Sequence, residues 1–314
     1  MKKLLILLLA VGLLRSPGAL AQVRVQNLRC ENLADPIGLD VARPRFSWQL
    51  LAAKDRRGVR QTAYEVRVAA SAAGLAQGGP ATVWNSGKVA SDSSVNVTYA
   101  GPALQLNRRY HWQVRAWDEA GKASAWSAPA FWQVGLLAPA NWQASWIGPG
   151  YAEDSVRRPS PLLRKEFKIS KKITSATAYV TAHGLYEAQI NGRRVGDGYL
   201  TPGWTSYNKR LAYQAYDVTN LVKAGANAVG ATLASGWYRG YIGFDRVHNI
   251  YGRDAALLFQ LHLAYSDGTS EEVVSDGSWQ TTSEGPIRFA ELQRGETYDA
   301  RLEKTGWAQP GYDA

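Results

Sequence analysis

Apolar and polar residues alternate with a period of two along most of this chain. Tyr64-Glu65-Val66-Arg67-Val68 and Tyr110-His111-Trp112-Gln113-Val114-Arg115 each put one set of side chains on one side and their neighbours on the other, the pattern of half-buried β-strands. Leu257, Phe259, Leu261, Leu263 and Tyr265 form one face of a longer strand. Asp267-Gly268 closes that strand as a hairpin signal, and Asn191-Gly192 does the same between Ile190 and Val195, because both central residues of a tight hairpin turn need positive φ. No long segment carries a helical stripe, and the best helix candidate is a single turn near Thr219–Val222. The predicted fold class is all-β.

Two strand groups are predicted. The first contains Pro44–Trp48, Tyr64–Val68, Tyr110–Asp118 and Phe131–Val134. Short strands separated by turn signals suit a β-sandwich, placed at residues 22–135. Residues 136–148, opening with Leu136–Asn141, form the predicted linker. The second group, in residues 149–314, has strands at Lys165–Ile169, Ala176–Thr181, Glu187–Asn191, Leu211–Val218, Ala228–Leu233, Ala256–Tyr265, Val273–Ser275 and Trp279–Thr282. That number of antiparallel strands suggests a β-jelly roll. The length of 314 residues agrees with two domains at about 150 residues each.

The first 21 residues stand apart. Lys2 and Lys3 precede the apolar run Leu4–Leu14, and Ala19-Leu20-Ala21 offers a small-residue cleavage site. The run is too short for a bilayer, which needs about 20 apolar residues. Together these features read as a secretory signal peptide, so a periplasmic or extracellular chain beginning at Gln22 is expected. The net charge of +10 falls by three when Lys2, Lys3 and Arg15 leave. The remaining basic residues are scattered in short pairs such as Arg56-Arg57 and Arg108-Arg109, without the clustering of a nucleic-acid surface. The single cysteine, Cys30, excludes an intrachain disulfide and a cysteine zinc site. It lies too far past the cleavage site for a lipid anchor and reads as a small buried hydrophobe.

Several strings, taken together, resemble one family. They include Leu28-Arg29-Cys30-Glu31-Asn32-Leu33, Asp35-Pro36-Ile37-Gly38-Leu39-Asp40, Pro44-Arg45-Phe46-Ser47-Trp48 and Gln61-Thr62-Ala63-Tyr64. Further on come Gly184-Leu185-Tyr186, Ile190-Asn191-Gly192, Pro202-Gly203-Trp204-Thr205, Tyr216-Asp217-Val218-Thr219, Gly236-Trp237-Tyr238-Arg239-Gly240 and Gly295-Glu296-Thr297-Tyr298-Asp299-Ala300-Arg301. The ordered set resembles the N-terminal part of the bacterial α-L-rhamnosidases, and the first unit resembles a fibronectin type III module. The resemblance implies an accessory region of an inverting glycosidase that releases terminal α-L-rhamnose from rhamnose-containing glycosides or polysaccharides. It also implies a catalytic helical barrel that is not among these residues, so no catalytic residue carries over, and the chain alone is expected to be inactive.

Candidate chemistry is limited. Trp204, Tyr207, Trp237, Tyr238 and Tyr241 lie in segments rich in Gly and Pro, with Arg239, Asp245 and Asn249 close in sequence to the second cluster. Sugars pack C–H faces on aromatic rings and pair hydroxyls with such polar groups, so this set is the sugar-binding candidate; the bland reading is that the rings fill loop cores or an interface. Calcium, which a rhamnose-binding module of the resembled family uses, would take oxygen ligands at Asp245, Asn249 and Asp254, although the set does not match an EF-hand. Glu296 with Asp299, or Asp245 with Asp254, are the carboxylate pairs to weigh for glycoside hydrolysis. The first pair is three apart in an extended stretch, and a charge network fixing the end of the chain is the simpler reading. His111 and His262 alternate on strand faces, His183 reads as a loop residue and His248 lies in the Tyr241–Tyr251 loop. No zinc-protease histidine spacing or nucleophile-elbow serine is present.

Overall fold

The structure, a computed structural model, describes residues 23–52, 56–76, 82–154, 157–243 and 247–313. The predicted signal peptide and Asp245 lie outside the described residues. Two compact units are present. One comprises the described part of Met1–Pro36 with Ala42–Ala103 and Arg109–Trp132, and the other Ile37–Val41, Leu104–Arg108 and Gln133–Ala314.

The first unit contains β1 (Val23–Cys30), β2 (Arg45–Ala52), β3 (Ala63–Ala69), β4 (Thr82–Asn85), β5 (Val97–Thr98), β6 (Arg109–Trp117) and β7 (Ala130–Gln133). They form two antiparallel sheets, ordered β1-β2-β5 and β4-β3-β6-β7. Alternation decides the core: Phe46, Val66, Trp112, Val114 and Trp132 are fully buried, each worth about 1.5–3 kcal/mol of hydrophobic transfer. Phe46 packs with its ring centre 4.4 Å from that of Trp112. Trp48 is buried too, and its indole N–H donates to the Gln61 side-chain oxygen at 3.0 Å. Cys30 is buried, and burial pushes its thiol pKa well up. Outside this core runs a cation–π ladder: Arg67 lies 4.3 Å over Trp126, Arg115 serves both Trp126 and Trp117, and Lys88 covers Trp117. Glu65 holds Arg115 at 2.6 Å.

The second unit holds β8 (Leu162–Ile169), β9 (Ile173–His183), β10 (Leu185–Ile190), β11 (Arg193–Arg194), β12 (Gln214–Asp217), β13 (Gly225–Ala234), α1 (Gly236–Arg239), β14 (Ala256–Tyr265), β15 (Ser270–Val274), β16 (Gln280–Thr282), β17 (Ile287–Glu291) and β18 (Gly295–Tyr298). One sheet runs β11-β10-β13-β8-β16, another β12-β9-β14-β15, and β17 pairs with β18 alone. The predicted face Leu257, Phe259, Leu261, Leu263 and Tyr265 is in the core, against Ala176, Ala178, Val180 and Ala182 of β9. Asn191-Gly192 joins β10 to β11, and Asp267-Gly268 joins β14 to β15.

Three local expectations differ from the structure. The segment expected as a helical turn at Thr219–Val222 is a non-helical turn over residues 219–221, where the Asp217 carboxylate accepts from both the Thr219 amide at 3.1 Å and its hydroxyl at 2.7 Å, a local bond that competes with helix. The strand expected at Leu211–Val218 is confined to Gln214–Asp217. His183 ends β9 rather than sitting in a loop and pairs with Ala256 of β14.

Candidate functional site

The site is built around the break after β13. Gly236 has φ +53, and a Cβ there would lie 2.7 Å from Leu185 Cγ, so glycine alone fits the reversal. The chain then makes one helical turn, α1, closed by the Gly240 amide on the Gly236 carbonyl at 3.1 Å. A single turn sends Trp237, Tyr238 and Arg239 in separate directions, which a strand or an extended loop would not do.

Arg239 points inward and is 1% exposed. Its guanidinium grips Glu153 with both nitrogens, Nη1 to Oε2 at 2.6 Å and Nη2 to Oε1 at 3.1 Å. A buried charge persists only when so paired. Tyr238 stacks on His183 at 4.4 Å with planes 1° apart, and the other face of His183 stacks on Trp146 at 4.0 Å. Burial pushes the His183 pKa down. Tyr207 packs edge-on against Tyr238 and Tyr251, and its hydroxyl donates to the Gly203 carbonyl at 2.7 Å. Burial pushes the Tyr207 hydroxyl up to about 12, the nearby Tyr251 adding to the shift. Trp204 is 52% exposed. Its ring lies parallel to Trp237 and its N–H donates to the Tyr251 hydroxyl at 3.2 Å.

A second segment is zipped onto the turn. The Asn249 amide donates to the Arg239 carbonyl at 3.1 Å, and the Tyr251 amide donates to the Tyr238 carbonyl at 3.3 Å. Asn249 and Arg239 therefore face a recess while Tyr251 joins the ring wall. The recess, of about 970 Å³, is lined by Glu153, Arg158, Arg239, His248, Arg253 and Asp254 among others. Its size falls within the range of about 300–1,000 Å³ common for ligand pockets.

The structure thus brings Trp204, Tyr207, Trp237, Tyr238 and Arg239 together, but not in equivalent roles. Tyr207 and Tyr238 spend their faces and edges on neighbours. Tyr241 is half-buried: Arg294 lies 3.8 Å over its ring and His248 packs against it at 4.9 Å. Its amide donates to Glu291 at 3.2 Å. Trp204 is the exposed ring of the set, and the half-buried Trp237 lies parallel to it. Asp245 is outside the described residues. Trp146, Glu153, Arg158, His183, Glu291 and Arg294 belong to the site without having been singled out as candidates from the sequence. They come from distant segments, and only the polar, Pro-containing Tyr151–Pro161 loop hinted at two of them.

Of the calcium candidates, Asn249 and Asp254 are described. Asn249 Oδ1 accepts from the Arg158 guanidinium at 3.1 Å, which puts a fixed positive charge where the ion would sit. Asp254 is exposed. Among the described residues no group of three or more His, Cys, Asp or Glu is placed to hold a metal. The carboxylate pairs fare similarly. Asp299 is gripped by Arg301 at 2.8 and 2.6 Å, which holds its pKa down at about 2, so it stays ionised and cannot donate a proton. Glu296 lies exposed on β18. His262 is engaged by Glu272 at 2.6 Å, and His111 packs against Phe131.

Fold and site define a pair of all-β modules whose second member carries a ring wall beside an arginine-lined recess. Comparison with known proteins is specific. Residues 25–138 match the family described as Rha78A-like, N-terminal immunoglobulin domain, and residues 171–314 match the Alpha-L-rhamnosidase N-terminal domain. An alpha-L-rhamnosidase of Streptomyces avermitilis is 33% identical over 461 aligned positions, covering 94% of this chain and 44% of that protein. One from Alteromonas sp. (strain LOR) is 38% identical, covering 90% and 31%. The crystal structure of the Streptomyces avermitilis enzyme complexed with L-rhamnose superposes with TM-score 0.84 at 32% identity, over 93% of this chain and 44% of that one. That of the Aspergillus terreus enzyme gives TM-score 0.84 at 36% identity, over 93% and 33%. The chain belongs to the α-L-rhamnosidase family as an N-terminal region, and it spans less than half the length of these relatives.

Proposed function

We propose that this chain is the non-catalytic, carbohydrate-recognising portion of an α-L-rhamnosidase that acts on rhamnose-containing glycosides after export, with Met1–Ala21 as its leader. The observation that carries this reading is the parallel pair of exposed Trp204 and half-buried Trp237, with Trp204 tied by its N–H to Tyr251 beside the packed rings of Tyr207 and Tyr238. The 6-deoxy sugar rhamnose has an apolar methyl group and C–H faces suited to such a wall, and preorganised rings lose little entropy on binding. A relative's crystals hold L-rhamnose, which agrees with the ligand class. Bound sugar would rest on the wall with its hydroxyls toward Asn249.

A second reading is a structural scaffold for the catalytic portion. It is favoured by the half-buried rings of Tyr207, Tyr238 and Tyr241, which are engaged with neighbours inside the unit. Saturation-transfer NMR with methyl α-L-rhamnoside separates the two. Transfer to the methyl group and ring protons supports recognition, and its absence at millimolar ligand leaves the scaffold.

A further inference from the structure

The recess beside the ring wall carries an uneven charge distribution. The Arg239–Glu153 pair is closed on itself, since both carboxylate oxygens are engaged by the one guanidinium. The remaining ionised groups on the lining are Arg158 and Arg253 against Asp254, with His248 beside them. Arg158 is already positioned: its Nη1 donates to the Arg239 carbonyl at 3.3 Å and to Asn249 Oδ1 at 3.1 Å. Among the described residues no acceptor engages its Nη2 or Nε. The Arg253 side chain is exposed, and among the described residues only its backbone carbonyl is used, accepting from Arg239 Nη1 at 3.4 Å.

A guanidinium fixed through one nitrogen and open at the others offers the planar fork that matches a carboxylate, with little entropy left to lose. The recess and the wall share a backbone. Asn249 lines the recess and Tyr251 packs with the rings of the wall, so one short segment borders both. We propose that the recess is a subsite for an acidic sugar: the carboxylate of a uronic acid unit pairs with Arg158 and Arg253 while the adjoining rhamnose lies on Trp204 and Trp237. This rests on the carbohydrate reading above and narrows it to anionic rhamnosides.

The test is titration calorimetry of the full chain with a rhamnosyl-glucuronate disaccharide and with its neutral methyl ester. The acid is expected to bind at least tenfold more tightly than the ester, with the difference shrinking as salt is raised. Arg253→Gln should abolish the difference and leave ester binding unchanged. Among the described residues that side chain has no partner to lose, so the variant keeps the test valid even if Arg158→Gln, which unprops Asn249, folds poorly. Equal binding of acid and ester would overturn the subsite and leave the rhamnose reading standing. Binding of glucuronate alone but not of the ester would support the subsite and overturn the ring wall. Inorganic sulfate competing as well as glucuronate would overturn the carboxylate assignment, and no binding of any probe would overturn both readings.

Discussion

The indole of Trp204 lies parallel to that of Trp237, with ring centres 6.0 Å apart and planes 7° from coplanar. Behind this pair Tyr238 is stacked flat on His183. The two layers have different physical roles, and truncation should separate them. Tyr238→Ala opens a gap between His183 and Tyr207 and should cost about 2–4 kcal/mol of unfolding free energy. Trp204→Ala removes a half-exposed ring and should cost less than about 1 kcal/mol. Urea unfolding of both variants checks the order; a reversed order would place Trp204 in the core and remove it from the recognition surface.

The β17–β18 hairpin acts on the site through its tip. Glu291 accepts from the Tyr241 amide, and Arg294 covers the Tyr241 ring. Glu291→Ala leaves that amide without its acceptor, at about 1–3 kcal/mol, and Arg294→Ala should cost about 0.5–1 kcal/mol. Hydrogen exchange at the Tyr241 amide should quicken in the first variant. Unchanged exchange would mean that the hairpin does not restrain the turn.

Burial holds the His183 pKa below the usual imidazole value of 6.5. The unfolded chain therefore takes up a proton at higher pH than the folded one. The stability associated with the neutral ring is complete above the unfolded value and is lost as pH falls from there toward the folded value. His111 shifts the same way, through burial first and Arg109 next, with Asp35 opposing. The unfolding free energy should fall between about pH 7 and about pH 5, and His183→Phe should flatten that slope, leaving the His111 part. A steeper slope in the variant would contradict the assignment.

In the end segment, Trp307 packs on Gly230 of β13, where a Cβ would lie 2.6 Å from the indole. Its carbonyl accepts from Arg164 Nε at 2.9 Å. Gly230→Ala should therefore displace the indole and cost about 1–3 kcal/mol. The check is thermal unfolding with tryptophan emission, where a red shift in the native state is expected; wild-type behaviour would show that the segment yields freely.

What the sequence made legible follows from period. Long strands with strict alternation, such as β6 and β14, were placed within a residue or two. The strand β1 was missed because Asn27 at φ +50 and a register shift between Gln26 and Arg29 break its alternation. The β17–β18 hairpin was missed because β18 is exposed at every position and has no buried face. In the site, the local cluster Trp237–Tyr241 was visible because its members are neighbours in sequence. Glu153, Arg158, His183 and Arg294 were not, since they reach the site through pairing of distant segments, which composition and spacing do not encode.

Direct titration of methyl α-L-rhamnoside into the chain, with Trp204→Ala in parallel, tests the central claim most directly. The account predicts a dissociation constant near the millimolar range, about −4 kcal/mol, weakened tenfold or more by Trp204→Ala with the unfolding transition nearly unmoved. Identical binding by both proteins, or none by either when correctly folded, would contradict it.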